Sequence, residues 1–193
     1  MKKTLTVLLA LVLVIAMSVA GTMAYLTSTD EVTNTFTVGN VAITLDEADV
    51  DNSTADKDRD QANSYKLIPG HEFAKDPIVH VDPASENCWL FVKVTNEIAA
   101  IEASTNKVAS QMATNGWTLV TGTTDVYALS APVAGGTNKP VFTTFTVSGT
   151  VDNTTLAAYD GKTIVVTAYA VQADGFNTAA EAWSNTFGAP STT

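Results

Sequence analysis

The chain has 193 residues, 46% of them hydrophobic, with 10 basic against 20 acidic residues and a formal net charge of −10 at pH 7. Such an acidic surface repels nucleic acid and anionic membrane, which argues against any function built on neutralising phosphates. A single cysteine excludes an internal disulfide framework, and the length suits one domain able to bury its own apolar core.

Lys2 and Lys3 precede an apolar run from Leu5 to Ala20, interrupted only by Thr6 and Ser18, and then Gly21-Thr22-Met23-Ala24-Tyr25-Leu26-Thr27-Ser28. A basic start, an apolar centre and a small-residue exit are the parts of a secretory signal peptide, with the lysines holding the cytoplasmic side. The sixteen residues of the run would span roughly 24 Å as a helix, short of a ~30 Å hydrocarbon core. No strongly basic flank follows to stop transfer. Signal peptidases need small side chains one and three positions before the cut. Thr22 and Ala24 meet that need, which gives residues 1–24 as signal peptide and Tyr25 as the mature N-terminus; Ser18 and Ala20 offer a second site. The membrane is then a partner only before cleavage. The secreted chain, having lost two lysines and no acid, keeps eight basic against twenty acidic residues, a charge of −12.

After a polar stretch, Asn34–Val38 alternates, with Phe36 and Val38 on one face and Thr35 and Thr37 on the other. Gly39-Asn40 is a turn signal, and Val41, Ile43 and Leu45 resume one apolar face, so two short strands are expected. Asp46 to Gln61 is acidic and polar and reads as a surface loop. Within it Asp56, Asp58 and Asp60 hold the first, third and fifth places of an EF-hand-like loop. Gln61 and Leu67 replace the glycine and the closing glutamate of that motif, so only a non-standard calcium site is on offer there. Tyr65–Gly70 is a short apolar run ending in a turn. Ile78–Val81 reads as a strand, and Asp82–Asn87 as a loop.

Cys88–Thr95 is the most apolar strand of the mature chain, with Cys88, Leu90, Val92 and Val94 on one face and Trp89 and Phe91 on the other. Large residues on both faces mean a central strand or a covered one. Cys88, in such a run, is a small buried hydrophobe. Glu97–Asn115 reads as a broken helix crossing one end of the sheet. Trp117–Val120 and Val126–Leu129 form a hairpin, Ala134–Pro140 a loop, and Val141–Val147 a strand whose Phe142 and Phe145 are out of phase, as at a bulge. Asn153–Tyr159 is a helical turn, Thr163–Gln172 a strong strand, and Thr178–Trp183 a short helix with Trp183 packed under the sandwich edge. Eight or nine short strands, with turn signals about every ten residues, indicate an all-β fold, a jelly-roll-like β-sandwich with short helices in the connections. Residues 25–193 form one such domain, with an N-terminal strand segment at 25–38.

Several of these stretches resemble one family. Gly21–Thr27 is similar to the signal-peptide exit of the TasA/camelysin proteins. Asn34–Val41 and Ile43–Glu47 resemble that family's first two strands, Leu67–Gly70 its loop into the next strand, and Ile164–Phe176 the closing strand of its shorter members. The resemblance implies a protein secreted by a Gram-positive bacterium and released by a SipW-type signal peptidase. It implies a structural subunit of an extracellular or biofilm-matrix fibre, with further copies of itself and other matrix proteins as partners. It also implies that the segment from Tyr25 to Val38, with Phe36 and Val38, serves as a donor strand to a neighbour. A monomeric surface-binding or adhesin module on the same fold is the alternative.

Camelysins have been classed as metallopeptidases, so a secreted metallopeptidase is the third reading. His71-Glu72-Phe73-Ala74-Lys75 begins like a zinc-protease helix, but Lys75 stands where the second histidine must, between Gly70 and Pro77, and His80 is nine residues away. No catalytic residue, metal or nucleic-acid partner is therefore expected.

Overall fold

The computed structural model describes residues 39–52 and 58–188. The chain divides into two compact units, Met1–Thr37 and Val38–Thr193. The expected signal peptide, with Thr22, Ala24 and Tyr25, and the strand bearing Phe36 and Val38 lie outside the described residues.

Among the described residues, ten strands form three antiparallel sheets. In one sheet β1 (Ile43–Ala48) lies between β2 (Arg59–Asp60) and β4 (Ile78–Val81), and β4 pairs on its other side with β8 (Asn138–Pro140). In the second, β10 (Ile164–Gln172) pairs with β5 (Cys88–Asn96), then β7 (Val126–Ala128), then β6 (Thr118–Leu119). A small ladder joins β3 (Glu72–Ala74) to β9 (Thr144–Thr146). The helices are short and lie in connections or after the last strand: α1 (Val108–Thr114), α2 (Asn153–Ala157) and α3 (Ala179–Phe187). The fold is an all-β sandwich.

Its core lies between the two larger sheets. Cys88, Leu90 and Val92 of β5 are fully buried there with Val79, Val141, Phe142 and Trp117. Trp89 and Phe91 point the other way, into a second cluster roofed by Ala182 and Trp183 of α3. β5 is thus both central and covered. α3 starts at an N-cap, where Thr178 Oγ1 accepts from Glu181 N at 3.2 Å, and Glu181 Oε2 reaches back past the cap to accept from Asn177 N at 3.0 Å. It runs on to Phe187, and Trp183 packs on the sheet's outer face against Phe91 and Tyr169.

Three expectations are corrected. The acidic loop expected from Asp46 is in part strand, because β1 continues to Ala48 and pairs with Arg59–Asp60. The loop expected at Ala134–Pro140 ends in a strand; Pro140 is tolerated because β8 is an edge. The broken helix at Glu97–Asn115 contracts to α1, since Glu102 bridges to Val147 and Glu102 Oε1 accepts from Val108 N at 3.2 Å where the helix begins. The segment after His71 is extended, forming β3, in keeping with the absence of a helix between Gly70 and Pro77. The phase slip at Phe142 and Phe145 is real, and both are buried. Gln111 Oε1 accepts from Thr143 N and Thr144 N at 3.0 and 3.2 Å, and this holds the bend that turns both rings inward.

Candidate functional site

One side of the sandwich is open. β10 is an edge of one larger sheet and faces β1 of the other, whose groove side is unpaired only before Glu47, where β2 begins to pair; between them lies a groove of about 1260 Å³. Its walls are Ile43–Glu47 of β1 and Ile164–Ala168 of β10, and Phe145, Ile98 and Leu67 lie deeper among its lining. The sequence makes this surface apolar by alternation. Ile43 and Leu45, and Ile164, Val166 and Ala168, all turn half-buried side chains onto the main core.

The same alternation aims free mainchain groups into the groove. Asp82 N donates to Ala42 O at 2.9 Å, so Ala42, Thr44 and Asp46 address β4, leaving the N–H and C=O of Ile43 and Leu45 directed away from it. Glu97 N donates to Thr163 O and Ala173 N to Asn87 O, so Val165, Thr167 and Tyr169 address β5 and Ile164, Val166 and Ala168 face outward. Among the described residues no strand pairs with β10 on this side, or with β1 before Glu47. Edges of this kind are templates for another strand, and β10 has no charge, proline or glycine to guard it.

At one end the edges meet. A β-carbon on Gly39 would lie 2.9 Å from Gln172 Oε1 at the last residue of β10. The other end, by Glu47 and Ile164, is polar. There Lys75 Nζ contacts Glu47 Oε2 at 2.7 Å, both side chains at least nine-tenths buried. The ring of Tyr65 sits 5.9 Å from that nitrogen, and its hydroxyl donates to Ala74 O at 3.0 Å. Burial, reinforced by Glu47 and Asp76, pushes the Tyr65 phenol above its ordinary range. On the other face of β1, Asp46 accepts from Arg59 at 2.5 Å and faces His80 Nε2 at 3.0 Å; Arg59 also reaches Asp76 at 3.0 Å. Burial opposes ionisation of Asp46, but the bonds from Arg59 and His80 hold its carboxyl below the usual range.

The candidate protease residues are not brought together for metal chemistry. Glu72 lies on the strand β3, the His71 ring packs on Phe73 with centroids 4.6 Å apart, His80 is held by Asp46 and Asn138, and Lys75 is consumed by Glu47. Of the acidic triplet, Asp56 lies outside the described residues. Asp60 gathers instead with Asp49 and Asp51, with ligand atoms within 4.8 Å of one another, while Asp58 supplies its carbonyl to Asp49 N at 3.1 Å. Those three carboxylates are the group among the described residues able to share a cation. The sequence reading missed it because Asp49 and Asp51 come from the other arm of the β1–β2 hairpin.

It also missed the groove. The available signal was β10 itself, a nine-residue strand with β-branched or aromatic residues on both faces and no charge. Neither family models, nor curated proteins, nor solved structures give a match to this chain.

Proposed function

We propose that the protein is a secreted structural subunit of an extracellular or biofilm-matrix fibre, in which the N-terminal strand of one copy fills the β1–β10 groove of the next. The observation that carries this reading is the groove itself, with apolar side chains of β1 and β10 along its walls and unpaired mainchain groups of β10 and of β1 before Glu47 pointing into it. Asn34–Val38 has the complementary pattern, with Phe36 and Val38 on one face and threonines on the other. Burying two such side chains contributes roughly 1.5–3 kcal/mol each, and the mainchain bonds gained add about 1 kcal/mol apiece. The resemblance to the TasA/camelysin proteins supports the same reading, with export and release by a SipW-type peptidase after Ala24. In this reading the protein is not an enzyme. A monomeric binding module would use the same groove for a foreign strand.

Electron microscopy of the secreted form beginning at Tyr25 separates the two. Ordered fibres from that form and none from a chain lacking Tyr25–Val38 are expected. Fibres from the shortened chain would overturn donor-strand assembly, and a native chain that stays monomeric at high concentration would favour the binding module.

A further inference from the structure

A second cavity, of about 260 Å³, lies on the outer face of the β10–β5–β7–β6 sheet, apart from the groove and independent of the fibre reading. Trp89 of β5 is part of its wall. Residues 118–121 at β6, residues 128–130 at the end of β7 and residues 177–180 at the start of α3 complete it.

Trp89 is only 5% exposed, and among the described residues its Nε1 is the buried side-chain polar atom that has no hydrogen-bond partner. A buried donor without an acceptor is costly, and folded proteins leave few. Apolar packing does not account for an indole here. Phe91, two residues along on the same face, is fully buried in the same cluster with no polar side-chain atom at all. Trp117, by contrast, spends its Nε1 on Pro140 O at 2.8 Å. The acceptor that Trp89 calls for is a group entering the cavity that its side chain lines.

The start of α3 adds donors. The first amides of a helix have no intrahelical acceptor. Thr178 Oγ1 takes Glu181 N, which leaves Ala179 N and Ala180 N, and both residues line the cavity. The positive end of the helix dipole favours an oxygen there. A full negative charge is disfavoured, because no lysine or arginine lines the cavity, Glu181 sits in the same turn and the chain is acidic as a whole. Val120, Leu129 and Ala179 give the wall an apolar part. The space is also far larger than the ~30 Å³ share of one water.

We propose that this cavity binds a small neutral molecule carrying a carbonyl oxygen, an amide being the simplest case. The oxygen accepts from Trp89 Nε1, the start of α3 orients the carbonyl dipole, and the apolar remainder lies against Val120 and Leu129.

The test is a titration followed by proton–nitrogen NMR on the Phe36→Asp chain, which stays monomeric in the fibre reading and whose altered residue is outside the cavity lining. The probes are N-methylacetamide and, in parallel, acetate. The three tryptophans give three indole signals, and W89F identifies that of Trp89. N-methylacetamide should move the Trp89 indole signal and the Ala179 and Ala180 amide signals along one saturating curve, with Trp117 as the unmoved control. In W89F the two alanine signals should need about tenfold more amide, the worth of one hydrogen bond, and acetate should act more weakly than the amide on the native indole. Should W89F not fold, a nuclear Overhauser contact between the probe's methyl groups and the Trp89 indole proton takes its place. A Trp89 signal unmoved by either probe would mean that water or the protein itself supplies the acceptor, and would overturn the site. Stronger binding of acetate would overturn the neutral ligand class, and unchanged amide binding in W89F, or no Overhauser contact, would overturn the role of the indole.

Discussion

Lys75 and Glu47 meet inside the sandwich, at the polar end of the groove, with side chains only 10% and 7% exposed. A buried pair adds little over an apolar one, but stranding one member is costly because its charge loses both water and partner. Lys75→Ala should therefore destabilise the fold by about 3–5 kcal/mol, and Glu47→Leu combined with Lys75→Met should recover most of that. Urea unfolding of the three chains measures both, and a single variant as stable as the native chain would refute the argument. The sequence showed Lys75 only as the residue that spoils a histidine motif. Its true partner is 28 positions away on a neighbouring strand, and no local pattern announces such a pair.

Glu97 is a surface counterpart. Thr163 N donates to its carboxylate at 2.9 Å, Lys162 Nζ at 3.0 Å and Thr163 Oγ1 at 3.0 Å, and these bonds hold its carboxyl down at about 2. A carboxylate lowered from its ordinary 4.5 contributes stability above that value and loses it as pH falls towards 2. Glu97→Gln should accordingly be less stable than the native chain at neutral pH, and the difference should vanish near pH 2. Thermal unfolding across that range reads it, and a pH-independent difference would contradict the cause given. Because Thr163 directly precedes β10, this contact also anchors the Ile164 end of the groove edge.

Among the elements, those with strict alternation were legible. β5 and β10 fall within a residue of where the pattern put them, and the two faces of β5 sort as expected into two clusters. Short strands were not legible. β3 and β8 have three residues each, too few for a period to show; β8 exists because β4 presents an edge to it, and β3 pairs with the equally short β9. α3 was underestimated at its C-terminal end, where Trp183 and Phe187 pack with centroids 4.5 Å apart and both meet Tyr169. This helix holds the outer sheet face dry. Trp183 is half-buried, so Trp183→Ala should cost about 2 kcal/mol, near the lower end of large core truncations, and Thr178→Ala should cost about 1 kcal/mol through the lost cap. Denaturant titration of each checks this; if Trp183→Ala proved neutral, α3 would not be the cover described.

For the whole molecule, the alternation at Phe36 and Val38 was legible in the sequence and the groove proposed to accept it was not. Phe36 and Val38 alternate in plain view, whereas the groove needs β1 and β10, more than a hundred residues apart, to stand opposite each other with nothing described between them. In the proposed fibre a two-state competition follows, because mainchain bonds of similar strength would form wherever the strand lands, so the side chains of the entering face would set the bias. Phe36→Asp would place a charge in an apolar groove at a cost of several kcal/mol. It should abolish elongation while leaving the unfolding temperature of the sandwich unchanged, as light scattering and calorimetry on the same chain would show.

The central claim, that one copy donates what another accepts, is tested by mixing two defective chains. Phe36→Asp can accept but not donate. Ala168→Trp, with its ring filling the groove beside Ile43, can donate but not accept. Each alone should sediment as a monomer, and the equimolar mixture should sediment as a one-to-one dimer that grows no further. Two chains that stay monomeric when mixed would contradict the account, as would continued growth of either chain alone.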